Sequence, residues 1–104
     1  MIHALIKRLA RWRRKVRPYD KFDDGSSLAE INREAIRYQS GSGRYVDVGF
    51  YADVSRSHLW VIKKSTLAEW TSPAGVQLND AEIAAIIARL AEYCDARNLR
   101  YTIE

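Results

Sequence analysis

Alternation of apolar and polar side chains in residues 44–51 is the feature that most constrains this fold. Three apolar side chains would share one face of a strand there: Val46, Val48 and Phe50. Residues 34–39 also suit a strand, and residues 40–43, Ser-Gly-Ser-Gly, are typical of a tight turn. We therefore predict a β-hairpin whose apolar face packs on a core.

A long amphipathic helix is predicted over residues 80–97. Asn79 and Glu82 have the spacing of a capping box, and Asn98 suits the left-handed position after a helix. The apolar stripe consists of Ile83, Ile86, Ile87, Leu90, Ala91 and Cys94. A helix with such a stripe needs a sheet or another helix to cover it.

Two further strands complete the predicted fold. Residues 59–63 are apolar on both faces, which is typical of a central strand, and residues 101–103 suit a short final strand. We predict an α+β fold, a small β-β-β-α-β sheet of about four strands with the helix on one face. The side chains expected to be buried are Val46, Val48, Phe50, Val61, Ile83, Ile86, Ile87 and Leu90.

Positive charge is concentrated at the N-terminal end. The chain has 17 basic and 13 acidic residues; seven basic and no acidic residues lie in residues 1–17, which leaves ten basic and 13 acidic residues elsewhere. Apolar residues recur at helical spacing in this segment, so we predict a basic amphipathic helix. Five of its side chains could contact an anionic surface: Lys7, Arg8, Arg11, Arg14 and Lys15.

Residues 18–27 contain proline, glycine, serine and aspartate without periodicity, and are predicted to link this helix to an α+β domain of residues 28–104. The role of the helix stays open between packing on the domain or on a second copy, anionic lipid, nucleic acid, and an artefact of an upstream start codon. No apolar run is long enough to span a bilayer or form the core of a secretory signal. We expect a cytoplasmic protein.

The residues that carry chemistry are few. Cys94 is the only cysteine, so no intramolecular disulfide can form, and its place on the helix stripe favours an inert buried thiol. His3 and His58 have no partners at metal-ligand spacing. The loop residues Asp53, Ser57 and His58 are such close neighbours that they seldom converge as a triad. We predict no enzyme activity, no catalytic residue, no metal and no cofactor.

Exposed aromatic residues favour binding to another protein. Tyr45 and Tyr51 would face away from the helix, and Trp70 lies in an irregular segment before a proline. Exposed tyrosine combined with charge is typical of protein contact surfaces. The predicted partner-binding residues are Tyr45, Asp47, Tyr51, Asp53, Arg56, Glu69 and Trp70. The competing hypothesis for Trp70 is that it closes one end of the core.

The order of motifs along residues 30–104 resembles a known family. In chain order the motifs are a glycine-turn hairpin, the strand Leu59-Trp60-Val61-Ile62, the segment Ser65-Thr66-Leu67-Ala68-Glu69-Trp70 with Pro73 after it, and the helix start Leu78-Asn79-Asp80-Ala81-Glu82. An isoleucine-rich helix and a short strand follow. This order is similar to immunity protein family 74, one of the small immunity protein families of bacterial polymorphic toxin systems. Residues 1–17 depart from the pattern.

The resemblance implies a function in stoichiometric binding. A protein of this kind occludes a cognate toxin, and has no cofactor and no small-molecule substrate. The alternative function, which the charge pattern favours, is a nucleic-acid or anionic-membrane binding module that acts through residues 1–17.

Overall fold

The computed structural model of the protein describes residues 19–104, which form a mixed β-sheet and a long helix. The strands are β1 (Tyr19–Lys21), β2 (Ser27–Asn32), β3 (Ala35–Gln39), β4 (Tyr45–Asp53), β5 (Leu59–Lys63) and β6 (Tyr101–Ile103). The helix α1 spans Asp80–Ala96, and short 3-10 turns follow β4 at Val54–Arg56 and β5 at Lys64–Thr66. The predicted helix of residues 1–17 lies outside the described residues.

The six strands lie side by side in chain order. Neighbours from β1 to β5 are antiparallel, because short turns join them. β6 is parallel to β5, because the chain returns through α1 before it pairs again. The predicted α+β class is confirmed, and the sheet has two more strands than expected, β1 and β2.

Part of the predicted linker, residues 18–27, is in the sheet: Tyr19–Lys21 form β1, Ser27 begins β2, and residues 22–26 form the turn between them. β1 pairs antiparallel with β2, with Asp20 opposite Leu28. In the turn between them, Asp24 Oδ1 accepts hydrogen bonds from the Ser26 amide (2.9 Å) and hydroxyl (2.5 Å). These bonds lower the pKa of Asp24 to about 2. A strand of three residues is too short to show alternation, so its polar composition resembled a loop.

A charged cluster joins these two strands to the end of α1. Arg97 donates two hydrogen bonds to the Asp20 carboxylate, at 2.8 and 3.0 Å. Its guanidinium lies 3.7 Å from the centroid of the Tyr93 ring. The Tyr93 hydroxyl in turn donates to Glu30 Oε1 at 3.0 Å. Asp20 and Glu30 thus hold the helix from two adjacent strands.

The hydrophobic core lies between α1 and one face of the sheet. Burial is confirmed there for Val46, Val48, Phe50, Ile86 and Leu90, and also for Val61, which lies on the opposite face of the sheet. Ile83 and Ile87 are only half-buried, at the margin of the core. The Phe50 ring stacks on Trp60, with centroids 4.6 Å apart, and meets Tyr93 edge-on at 5.9 Å. Aromatic contacts therefore fill the part of the core between α1 and strands β4 and β5.

The capping box predicted for α1 is present. Asn79 Oδ1 accepts from the Glu82 amide at 2.8 Å, and Glu82 Oε1 accepts from the Asn79 amide at 2.9 Å. Beyond the C-terminal end, Asn98 adopts the predicted left-handed conformation, with φ 55°. No helix within residues 19–104 is long and apolar enough to cross a lipid bilayer.

The segment after β5 completes the free edge of β4. Thr66 Oγ1 accepts from the Gly49 amide at 2.9 Å, and Thr71 Oγ1 accepts from the Asp47 amide at 3.0 Å. Ser72 forms a short antiparallel bridge with Tyr45. Because β5 is shorter than β4, it does not pair with the first half of β4. The side-chain hydroxyls accept hydrogen bonds there from β4 amides that a longer β5 would otherwise bind.

Candidate protein-binding surface

We call the face of the sheet that points away from α1 the outer face. Directly paired residues of neighbouring strands point to the same side, so the register assigns its members. They include Ala35, Arg37, Gln39, Tyr45, Asp47, Gly49, Tyr51 and Val61. As predicted, Tyr45 and Tyr51 lie opposite the apolar face of β4. No helix of residues 19–104 covers the outer face.

Arg37 organises one end of the outer face. Its Nε and Nη2 donate to the two carboxylate oxygens of Asp47, at 2.7 and 3.0 Å. The guanidinium also lies 4.1 Å from the centroid of the Tyr45 ring. The hydrogen bonds from Arg37 to Asp47 raise the pKa of Arg37. The three side chains are therefore held in one arrangement. The ion pair stays partly exposed to solvent, with 25% of the Asp47 side chain and 37% of the Arg37 side chain accessible.

Tyr51 lies at the other end of the same face. It is half-buried and directly opposite Val61, which is fully buried on this side of the sheet. Gly49 separates it from Asp47, and a Cβ at Gly49 would lie 2.9 Å from the Cβ of Lys63. Since Tyr45 and Tyr51 are six positions apart, they are separated by roughly 20 Å along the strand. The outer face of β4 thus has a tyrosine near each end, and Gly49, which has no side chain, between them.

Asp53, the last residue of β4, and Arg56, in the turn after it, bind each other. Arg56 Nε donates to Asp53 Oδ2 at 2.7 Å, and its Nη1 donates to Glu104 Oε2 at 2.7 Å. Glu104 first and Asp53 second raise the pKa of Arg56, and hydrogen bonds from Ser55 and then Arg56 lower the pKa of Asp53. Asp53 accepts from these residues, and its bonds involve neither Ser57 nor His58. The cluster fixes the turn to the last residue of the chain.

The structure separates Glu69 from Trp70. Glu69 is exposed and its backbone bridges to Gln77. Trp70 is only 3% exposed and packs beside Tyr38, with ring centroids 6.5 Å apart. The prediction that Trp70 contacts a partner is therefore wrong, because its ring closes the core under the segment after β5. Its buried indole Nε1 has no hydrogen-bond partner among the described residues.

A cleft that the sequence did not predict opens beside β4, at the N-terminal end of β3. Its volume is about 680 Å³. We call it the notch; its lining residues are Glu30, Asn32, Arg33, Glu34, Gly49, Phe50, Tyr51, Ala52, Trp60 and Lys63. The signal for it is the length difference between the paired strands, five residues in β3 and nine in β4.

The described residues hold little reactive chemistry. No group of His, Cys, Asp and Glu within residues 19–104 could hold a metal ion. Burial raises the pKa of the Cys94 thiol to about 11, so the thiol is protonated at neutral pH. His58 is exposed in the turn after β4.

The basic side chains Lys7, Arg8, Arg11, Arg14 and Lys15 lie outside the described residues. Their predicted contact with an anionic surface stays a prediction. No protein-family model matches the chain, and comparison with curated proteins and with solved structures gives no significant match. The similarity to immunity protein family 74 is therefore also still a prediction.

Proposed function

We propose that this protein binds a cognate bacterial toxin protein and neutralises it by occlusion, without chemistry of its own. The observation that carries the proposal is the outer face, on which Tyr45, Arg37 and Asp47 form one ordered group with no covering helix among residues 19–104. The order of motifs that resembles immunity protein family 74 gives the class of partner.

Preorganised side chains on the outer face support this proposal. A side chain that is mobile before binding loses conformational entropy in the complex, at about 0.5–1.5 kcal/mol for each side chain. Arg37 has already lost this freedom, because it is held by Asp47 and by the Tyr45 ring. Tyrosine and arginine are also the residue types enriched where binding energy is concentrated. This corner of the outer face is thus suited to be the centre of an interface.

Charge favours a basic partner. Outside residues 1–17 the chain has ten basic and 13 acidic residues. A mild excess of negative charge accelerates the encounter with a positively charged protein, such as a nuclease that binds phosphates. In this proposal Tyr45, Asp47 and Tyr51 contact the toxin. Asp53 lies at the end of the face, Arg56 and Glu69 lie beyond it, and Trp70 supports it from the core.

The test is co-expression with a toxin domain, which the proposal expects to be encoded next to this chain. Cells should survive with the wild-type protein and lose protection with the double variant Tyr45→Ala and Tyr51→Ala, because both aromatic ends of the face are then removed. Val76→Ala is the matched control, since Val76 is an exposed apolar residue in the segment before α1, 37% accessible. It should protect as well as the wild type.

Folding is checked on each purified variant by far-ultraviolet circular dichroism and thermal unfolding. If a folded Tyr45→Ala, Tyr51→Ala variant protects as well as the wild type, the outer face is not the toxin-binding surface. If the wild-type protein itself gives no protection against the neighbouring toxin, the proposed function is contradicted.

A second candidate function rests on the seven basic residues in residues 1–17, where acidic residues are lacking. Such a segment could neutralise several phosphates of a nucleic acid or anionic lipid headgroups, with strong dependence on salt. A variant without residues 1–17 distinguishes the two functions. Toxin protection should persist in that variant under the first proposal, whereas binding to anionic vesicles or to duplex DNA should vanish under the second.

A further inference from the structure

The notch contains a stretch of strand edge with no partner strand among residues 19–104. β3 pairs with β4 only as far as Ala35 opposite Gly49, and one more bond runs from the Phe50 amide to the Glu34 carbonyl, at 2.9 Å. Beyond this point β4 continues through Tyr51–Asp53, paired on its other side with β5. The chain of β2 and β3 turns back at Arg33 and Glu34, so the register gives these last residues of β4 no neighbour on this side.

Among residues 19–104, the hydrogen-bonding groups at this edge that have no strand partner belong to Ala52. Amide groups alternate in direction along a strand. The Phe50 amide points toward β3, and the Gly49 amide points the other way, toward the segment after β5. The amide and carbonyl of Ala52 therefore point into the notch, as those of Phe50 do. Three residues of edge are enough for a strand in this sheet, since β1 and β6 have three residues each.

The lining of the notch has charges of both signs, the acidic Glu30 and Glu34 and the basic Arg33 and Lys63. On the side of α1, the half-buried Glu30 carboxylate lies in the lining together with the Trp60 ring. On the side of the outer face the lining includes Lys63, because Lys63 pairs with Gly49. Side chains of an extended segment alternate between the two sides of a sheet. A basic residue opposite Ala52 would complement Glu30, and an acidic residue after it would complement Lys63.

We infer that the notch binds an extended segment of a partner protein, which joins the sheet as an added strand beside the end of β4. A Lys or Arg of that segment would face Glu30 and the Trp60 ring, where it gains an ion pair and a cation–π contact. The inference rests on the proposed function in one respect only, that the natural occupant belongs to the bound partner protein.

The probe for this inference is the blocked peptide acetyl-Thr-Thr-Arg-Glu-Thr-amide, titrated into the full chain and followed by amide chemical shifts in NMR. Its Arg would lie opposite Ala52 in the antiparallel orientation. With two main-chain hydrogen bonds and an ion pair, we expect a dissociation constant on the order of 1 mM. The Ala52 amide should show saturable shifts, and an N-methyl group on the peptide Arg should abolish them.

The matched control peptide exchanges the two charged residues, acetyl-Thr-Thr-Glu-Arg-Thr-amide, and should bind more weakly. In the protein, Glu30→Gln keeps an acceptor for the Tyr93 hydroxyl but removes the charge, and should weaken binding about three-fold, as expected for a partly exposed ion pair. Asp23→Asn removes a charge in the turn at the opposite end of β2 and should change nothing. Ala52→Pro removes this amide and also fixes φ at this position; it should weaken binding, followed by the amides of Tyr51 and Asp53 in a variant that still folds.

The inference is overturned if the Ala52 amide does not respond to the peptide, or if both peptide orders bind equally. It is also overturned if the Ala52 amide is already protected from hydrogen exchange in the free protein, since a second copy or residues 1–18 would then fill the notch. These outcomes are separate from toxin protection. A protein that binds the peptide but does not protect cells would contradict the proposed function and leave the notch assignment intact.

Discussion

Substitutions on the two faces of β4 are expected to affect different properties, stability on the inward face and binding on the outward face. Inward residues such as Phe50 are packed against aromatic rings and determine stability. Outward residues such as Asp47 are partly solvated, so their contribution to stability is small. This contrast separates variants that test folding from variants that test binding.

Asp47→Asn is expected to affect binding more than folding. The ion pair with Arg37 is partly exposed, so its loss should lower the free energy of unfolding by less than about 1 kcal/mol. The association rate with a basic toxin should fall several-fold and become less dependent on salt, because a steering charge is lost. Urea denaturation and stopped-flow binding measure the two effects.

The control for Asp47→Asn is Glu92→Gln, which removes the partner of Arg89 on the exposed side of α1. Arg89 keeps its second partner, Asp24, and the variant should leave the association rate unchanged. Equal slowing by the two variants would mean that only net charge matters and that the position of Asp47 does not.

Cys94 and Tyr93 predict a loss of stability at alkaline pH. Burial raises the pKa of Cys94 from 9.0 to about 11. Burial and the bond to Glu30 raise the pKa of Tyr93 above its ordinary 10.0. The unfolded chain therefore loses these protons at lower pH than the folded protein, and the free energy of unfolding falls as pH rises above about 9. For Cys94 the fall amounts to about 2–3 kcal/mol by pH 11.

Cys94→Ala isolates the thiol contribution. The variant should be less stable at neutral pH by about 1 kcal/mol, because a small cavity replaces the sulfur. Between pH 9 and 10 its free energy of unfolding should decline less steeply than that of the wild type. Parallel declines in urea titrations across this range would show that the thiol is not the titrating group.

At the scale of elements, α1 is the one helix that covers the sheet within residues 19–104, so its N-terminal cap should matter for the whole domain. Asn79→Ala removes the acceptor for the Glu82 amide. We expect the free energy of unfolding to fall by about 1 kcal/mol, measured by urea denaturation. Asn79→Asp keeps an acceptor beside the helix N-terminus and should retain the stability. An unchanged Asn79→Ala variant would contradict the role of the cap.

β1 gives the second prediction at this scale. Deleting residues 1–18 should leave a cooperatively unfolding domain, whereas deleting residues 1–24 should lower its melting temperature, because β1 and the Asp20–Arg97 pair are lost. Asp20→Asn in the full chain shows how much of this comes from the ion pair. Equal melting temperatures for the two truncated proteins would mean that β1 does not contribute to the fold.

The elements also show what sequence can and cannot predict. β3 to β6 and α1 were predictable, because periodicity, turn glycines and the cap of Asn79 are local signals. β2 was not, because its inward-facing Glu30 binds the Tyr93 hydroxyl and breaks the expected alternation of apolar residues. The notch depends on where β3 stops against β4, and the burial of Trp70 depends on how its segment folds back. Neither is encoded by local pattern.

At the scale of the whole molecule, charge divides the chain. Residues 1–17 contain seven basic and no acidic residues, and the rest contains ten basic and 13 acidic residues. In our account the larger part binds the toxin through the outer face, and the notch adds a contact with an extended segment. The basic segment then has a separate role.

The measurement that tests the central claim most directly is complex formation between the purified protein and the purified toxin domain, followed by size-exclusion chromatography with light scattering. The account predicts a complex of equal numbers of the two chains. It should form without residues 1–17, and should be lost with the folded double variant Tyr45→Ala and Tyr51→Ala. A complex that survives this double variant, or one that requires residues 1–17, would contradict the claim that the outer face binds the toxin.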